Sequence, residues 1–310
     1  MGRMLNVAMC LDEGYVLPLA VALASLDAVS QAEAVRVYIA HPDIPEAVRQ
    51  RLVAPLKSIE VSWLPVDDAS VRGAYYTDTL SSGSLYRLLL GELLPPELDR
   101  VLYLDVDTLV AAPLNALCEA NLGGHVIGAI RDSGSPWAAG IAGAPWRELG
   151  LDPATPYFNS GVLLIDLRLW RAQSIGRACL DLLRRVKPVW GDQDALNTVL
   201  AGKWFELDRR WNLQTPELTG NSLSWALWRA DVETAEKNPA LYHYNGWDKP
   251  WNYGSKHPRT AEWLAVLDRT SWSGWRPSPP PKPNRLMALA RAAIRPVRRR
   301  REPQTSLTPT

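Results

Sequence analysis

Asp105 and Asp107 stand two residues apart at the end of an apolar run, Val101-Leu102-Tyr103-Leu104. A short continuous apolar run predicts a strand buried on both faces, as in a parallel sheet. In extended chain, residues i and i+2 point to the same side. The two carboxylates are therefore expected to converge while Val106 faces away. Ligand sites in open α/β sheets lie outside the carboxyl ends of the strands, and two carboxylates there suit a hard divalent cation, Mg²⁺ or Mn²⁺. Taken alone, the pair fits a solvated acidic turn equally well.

The elements that would position this pair alternate in type. Leu5–Met9, Val35–Ala40, Ile59–Leu64 and Val126–Ile130 read as strands, and Gly161–Ile165 as a later one. Trp204–Leu207 and Ala240–Tyr244 look like late strands. Helices are expected over Tyr15–Val29, Pro45–Leu56, Leu85–Leu94, Leu114–Ala120, Trp170–Val186 and Asp192–Leu200. Ser84 or Ser82 is a candidate cap for the third, and Asp192 for the last. Ser133–Pro156, rich in Gly, Ala and Pro, is expected to form a loop over the carboxyl edge. This alternation implies an α/β fold with a mostly parallel sheet and helices on both faces. No Gly-x-Gly-x-x-Gly follows the first strand, which disfavours an ordinary dinucleotide-binding fold.

The chain has 310 residues, 47% hydrophobic and 22% charged. These are values of a soluble globular protein with material for a sizeable core. The longest apolar stretch, Tyr15 to Leu26, is twelve residues and contains Pro18, short of the ~20 needed to cross a bilayer. No signal peptide is read at the start. Cys10, Cys118 and Cys179 are dispersed without metal-ligand spacing, as expected in a reducing compartment. The net charge of +1 is unevenly spread: Lys282 to Glu302 holds eight basic residues and one acid, leaving 26 basic against 32 acidic elsewhere, a net of −6. A Pro-rich linker, residues 272–283, separates the body from this tail. In the tail Leu286, Met287, Leu289, Ala290, Ala293, Ile294 and Val297 share one helical face, with Arg285, Arg291, Arg295 and Arg298 on the other. Such a segment reads as an anchor for an anionic membrane surface, or else as a solvated basic tail. Nucleic acid is disfavoured, because the body has no basic patch.

Six segments, the one that holds the Asp pair among them, then agree. DEGY follows the first strand at 12–15, and SLYRL spans 84–88. RVLYLDVDT spans 100–108, YFNSGVLLIDL 157–167, GDQDALN 191–197 and HYNGWDKPW 243–251. Together, and in this order, they resemble family 8 glycosyltransferases, especially bacterial galactosyltransferases that build lipooligosaccharide. The resemblance runs from Leu5 to Trp251. It implies a GT-A fold over residues 1–271, a Rossmann-like nucleotide-diphospho-sugar transferase architecture. It also implies a UDP-hexose donor, Mn²⁺ (Mg²⁺ as an alternative), and transfer with retention at the anomeric carbon.

By resemblance Asp105, Asp107 and His243 are the metal ligands. Without it, His243 in a short apolar strand would be a core histidine. The resemblance places Lys249 at the donor diphosphate and lets the backbone approach it at Gly246; Lys249 would otherwise be a surface residue. Asp12 and Tyr15 are the implied uridine site, with Gly14 standing where relatives often carry Asn. Arg87, Asp132, Asn159, Ser160, Asp192 and Gln193 are the implied sugar-binding residues, with Val106 in the donor-binding set. Ser160 replaces an alanine common in the family's similar members. The alternatives for Arg87 and Asp192 are a surface helix residue and a helix cap. Gln193 is the amide expected beneath the anomeric carbon, and Asp192 the fallback nucleophile. The expected enzyme moves galactose or glucose to a cell-envelope glycan or glycolipid at the cytoplasmic membrane face. The competing readings are a sugar nucleotidyltransferase, for which no basic Gly-rich triphosphate loop is visible, and a non-catalytic nucleotide-sugar-binding module.

Overall fold

The computed structural model describes residues 4–11, 13–76, 82–140 and 146–279. Asp12 and the basic tail therefore lie outside the described residues. Seven strands form the main sheet: β1 (Leu5–Cys10), β2 (Val35–His41), β3 (Ile59–Pro65), β4 (Arg100–Leu104), β6 (Ile127–Arg131), β7 (Phe158–Asp166) and β8 (Phe205–Glu206). A second sheet holds β5 (Thr108–Val110), β9 (Leu213–Gln214) and β10 (Leu241–His243). The main sheet runs in the order β3-β2-β1-β4-β7-β6-β8, and the small one β5-β10-β9. Strands β1 to β4 are mutually parallel, β7 is antiparallel to both β4 and β6, and β8 is parallel to β6.

The burial pattern follows from this order. All nine residues of β7 are buried, as are Val101 to Leu104 in β4. Along β4 the side chains alternate between two cores. Val101 and Tyr103 pack with Leu88, Phe158 and Leu196 on one side; Leu102 and Leu104 pack with Leu19, Leu23 and Val162 on the other. That alternation is the period-2 geometry of a strand covered on both faces. The edge strand β3 is only half buried and presents Glu60 across from Arg36, 2.7 Å away.

The chain leaves β1 toward β2 on one side and returns to β4 on the other. The crevice at the carboxyl ends of β1 and β4 is thus the topological switch point, where open α/β sheets bind ligands. Residues 105–107 connect β4 to β5 and so join the two sheets there. Helix Val16–Val29 covers this region from below and is almost uniformly apolar, with eight buried residues.

Several elements differ from expectation. Leu85–Leu94 is not one α-helix: Ser82–Leu89 is 3₁₀ and only Leu90–Leu93 is α-helical. Arg87 Nε donates to the Ser84 carbonyl at 3.0 Å, the acceptor an α-helical bond from Leu88 would use. The Trp170–Val186 helix divides into Leu167–Ala172 and Ile175–Arg185, broken at Ser174 with φ +52°. Beyond helix Thr260–Leu267, Trp272, assigned to the linker by the sequence, packs on the body beneath the Arg51 guanidinium at 4.3 Å. Arg276 pairs with Asp268 at 2.6 Å. Among the described residues no helix is long and apolar enough to cross a membrane, and all three cysteines are buried.

Candidate active site

Asp105 follows β4 directly, but Asp105-Val106-Asp107 is a turn rather than extended chain. Thr108 closes it, its N–H and hydroxyl both donating to the Asp105 carbonyl at 3.2 and 2.7 Å. The carboxylates converge through this turn and not through strand pleating, which corrects the geometric expectation. Val106 faces away as expected: it is buried in the core and is not among the cleft residues.

His243 ends β10 opposite Thr108 in the antiparallel register, and Tyr244 N–H donates to the Asp107 carbonyl at 2.9 Å. This pairing brings His243 to Asp107, 136 positions before it in sequence. Asp105, Asp107 and His243 offer ligand atoms all within 4.8 Å of one another. His243 Nε2 lies 3.2 Å from Asp107 Oδ1 and 3.7 Å from Asp105 Oδ2. The imidazole is 2% exposed, yet it faces two carboxylates rather than an apolar core. Gly161 makes the space: a Cβ there would sit 2.2 Å from His243 Cε1 and 2.8 Å from Asp105 Oδ2.

Each acid also has a cationic partner. Lys249 Nζ is 2.6 Å from Asp107 Oδ2. Burial works against the Asp107 charge, but Lys249 and His243 outweigh it and hold the carboxyl well below the usual range. Asp105 Oδ1 accepts from Tyr103 Oη at 2.6 Å and pairs with Arg87 at 2.9 Å. Arg87 is buried, not a surface helix residue. Its Nε also lies 3.1 Å from Asp192 Oδ2, an ion pair without a hydrogen bond, because that N–H is given to Ser84. Burial pushes the Asp192 carboxyl up to about 6, against the pull of Arg87.

Asp192 begins helix Asp192–Val199 but does not cap it; Gly191, at φ +55°, holds the cap position. One turn of this helix serves the cleft. Gln193 Oε1 accepts from Ser160 N–H at 3.0 Å, and Gln193 Nε2 donates to Asp132 Oδ2 at 3.3 Å. Asp132 Oδ1 takes the N–H groups of Gly134 and Ser135 at 3.0 and 2.8 Å. Arg87 donates to both the carbonyl and the hydroxyl of Ser160, at 2.8 and 3.2 Å. Tyr15 meets Trp251 edge to face, centroids 6.2 Å apart. Gly246 has φ +86°, a conformation glycine adopts without steric cost. These residues line one cleft of about 590 Å³, within the range of small-molecule sites. Of the described site residues read from the sequence, all but Val106 line it.

Other residues support the site from behind, and of these Asn212 and Gln214 lie in no motif read from the sequence. Asn212 Oδ1 lies 3.0 Å from His243 Nδ1. Gln214 takes Ser133 N–H at 2.9 Å and donates to the Arg131 carbonyl at 2.8 Å, fixing the chain on both sides of Asp132. Asp194 accepts from Tyr157 Oη at 2.5 Å and Trp190 N–H at 2.8 Å. Asn197 brackets Phe158, bonding its N–H and carbonyl at 2.8 and 2.9 Å. Asn212 and Gln214 alternate with Trp211 and Leu213 and are both fully buried, but four residues are too few for the sequence to signal a strand there.

The comparisons with known proteins agree with this geometry. The family model described as Glycosyl transferase family 8 matches residues 6–255. General stress protein A of Bacillus subtilis is 28% identical over 280 residues, spanning 87% of this chain and 96% of that protein. Lipopolysaccharide 1,3-galactosyltransferase of Salmonella typhimurium is 24% identical over 280 residues, spanning 86% and 79%. Among solved structures, the galactosyltransferase LgtC in complex with donor and acceptor sugar analogs aligns with a TM-score of 0.73 at 25% identity, over 90% of this chain and 98% of that one. The mixed, mostly parallel sheet is accordingly a GT-A fold. The chain belongs to glycosyl transferase family 8.

Proposed function

We propose that this glycosyltransferase moves a hexose, galactose or glucose, from UDP to a cell-envelope glycan, with retention at the anomeric carbon and with a divalent cation. The observation that carries the reading is the convergence of two carboxylates and a buried imidazole on one point, inside a cleft walled by Arg87, Lys249 and side-chain amides. The relatives named as lipopolysaccharide galactosyl- and glucosyltransferases support the substrate class.

The donor set fits a metal. Asp105, Asp107 and His243 offer hard oxygen and imidazole ligands, which suit Mn²⁺ or Mg²⁺. The space left by the missing Cβ of Gly161 keeps the ligands together. A cation bound there supplies charge against the diphosphate as the bond to UDP breaks. Lys249 is the second positive group for that diphosphate. Tyr15 offers its ring to the base. Arg87, Asp132, Asn159, Ser160 and Gln193 hold the sugar, whose hydroxyls need converging amides and carboxylates because an unpaired buried polar group is costly. Gln193 is an amide and a poor nucleophile, and Asp192 is 3% exposed and paired with Arg87. This favours attack by the acceptor hydroxyl on the face that UDP leaves. The acceptor oxygen–carbon bond forms as the phosphate oxygen–carbon bond breaks, and the acceptor proton passes to the departing phosphate oxygen.

The test is Mn²⁺-dependent hydrolysis and transfer over a panel of UDP-sugars. Turnover of UDP-galactose or UDP-glucose is expected; inactivity on every UDP-sugar would sink the reading, and a glycosyl ester trapped on Asp192 would sink the same-face step. The basic run at the end of the sequence supports peripheral attachment at the inner face of the cell membrane. Deleting residues 283–310 is expected to abolish binding to anionic vesicles.

A further inference from the structure

We propose that Asn212 is a positioning residue: it fixes the tautomer of His243 and ties the cation end of the cleft to the sugar end. The inference rests on the metal reading above. Two backbone N–H groups set the direction of every hydrogen bond in the chain of side chains that joins the two ends. Gly161 N–H donates to Asn159 Oδ1 at 3.1 Å, so that atom is the amide oxygen. Asn212 approaches the same oxygen at 3.0 Å and must present its NH₂ to it. The Asn212 oxygen, 3.0 Å from His243 Nδ1, then acts as acceptor, and Nδ1 carries the hydrogen. An imidazole that binds a metal keeps one N–H. With that hydrogen at Nδ1, the nitrogen left for the metal is Nε2, the atom 3.2 Å from Asp107 Oδ1.

The other backbone donor fixes the far end. Ser160 N–H donates to Gln193 Oε1 at 3.0 Å. Asn159 Nδ2 accordingly gives its hydrogens to Gln193 Oε1 and Asp132 Oδ2, both at 3.3 Å. Turning any one amide over would set donor against donor or acceptor against acceptor in a buried network, where an unpaired group costs most. Asn212 is 0% exposed and has no access to solvent that could replace either bond.

Partners that orient a metal-ligating histidine typically change metal affinity 10–100-fold when lost. Two variants separate the two roles. Asn212→Leu keeps the volume and removes both bonds. Asn212→Asp keeps an acceptor for Nδ1–H but sets a carboxylate against Asn159 Oδ1. With Mn²⁺ alone as the probe, titrated by electron paramagnetic resonance, Asn212→Leu is expected to bind roughly 10–100-fold more weakly. Asn212→Asp is expected to hold Mn²⁺ within a few-fold of wild type, to bind UDP normally, and to lose kcat/KM on the donor sugar. Wild-type Mn²⁺ affinity in a folded Asn212→Leu variant would overturn the proposal. A measurement on the unaltered, metal-free chain guards against misfolding: the ring-nitrogen shifts of His243 should show a protonated, pyrrole-like Nδ1, and an unprotonated, pyridine-like Nδ1 would overturn the proposal. If the wild-type chain binds no Mn²⁺, the metal reading fails, and the tautomer measurement still decides the role of Asn212.

Discussion

At the scale of single residues, the site is built as much from an absent side chain as from present ones. Gly161 lies in β7 without a positive φ, so no turn demands glycine there; space does. A methyl group at this position would meet His243 at 2.2 Å and Asp105 at 2.8 Å. Neither neighbour gives easily. The imidazole is tied through Nδ1 to Asn212, and Asp105 is held by Tyr103 and Arg87. Overpacking of this kind costs roughly 1–3 kcal/mol, which a domain of this size survives. Gly161→Ala is therefore expected to fold, with a lowered melting temperature, and to lose at least about 10-fold in Mn²⁺ affinity, a change of ~1.4 kcal/mol. Calorimetric titration checks it: Mn²⁺ binding as tight as wild type would show that the three ligand groups do not share one ion.

At the scale of elements, what could be read from the sequence depended on length and period. Strands β1, β2 and β4 were legible because each is mostly apolar, and β3, Ile59-Glu60-Val61-Ser62-Trp63, because its apolar and polar residues alternate. Strands β5 and β9 were not: they have three and two residues, too few for a period, and exist because β10 lies between them. They also carry the second sheet that delivers His243, so the ligand set was legible only by family resemblance. The break at Ser174 was invisible for a related reason, since one left-handed residue leaves the apolar spacing on either side intact. What the break achieves is visible in Arg171, just before it. All five guanidinium N–H donors are used, on the carbonyls of Gly91, Leu94, Pro95, Pro96 and Leu98 at 2.8 to 3.1 Å. The two prolines end the preceding helix and leave carbonyls without intrahelical partners; Arg171 collects them and so sets the entry into β4. Lysine has three donors and no planar fork. Arg171→Lys is expected to destabilise the protein by roughly 2–3 kcal/mol, and Arg171→Ala by about 3–4 kcal/mol, read as lower urea midpoints. Midpoints equal to wild type in both would show that water serves those carbonyls as well.

At the scale of the whole molecule, the cleft closes only when the last third of the chain has docked. The small sheet contributes His243, and the segment behind it is pinned by His257. Arg259 N–H donates to His257 Nδ1 at 3.1 Å, so Nε2 carries the hydrogen and gives it to Thr215 Oγ1 at 3.0 Å. Thr215 passes its own hydrogen to the His243 carbonyl at 3.2 Å. This relay needs His257 neutral. Burial lowers its pKa from the ordinary 6.5 to about 4, with Asp248 and Glu262 pulling the other way and Lys249 and Arg259 reinforcing the shift. Between those two values the unfolded chain binds a proton that the folded chain refuses. Stability contributed by neutral His257 is thus complete above about 6.5 and is lost as pH falls toward 4. His257→Gln keeps an acceptor and an N–H donor but does not titrate. Urea unfolding at a series of pH values should show the wild-type midpoint falling more steeply than the variant's across that window, with the two curves parallel above it. Parallel curves throughout would mean that His257 accepts a proton without disturbing the relay. The docking of the small sheet would then depend on packing around Tyr244 and Trp263 rather than on the hydrogen bonds that run from Arg259 to His243.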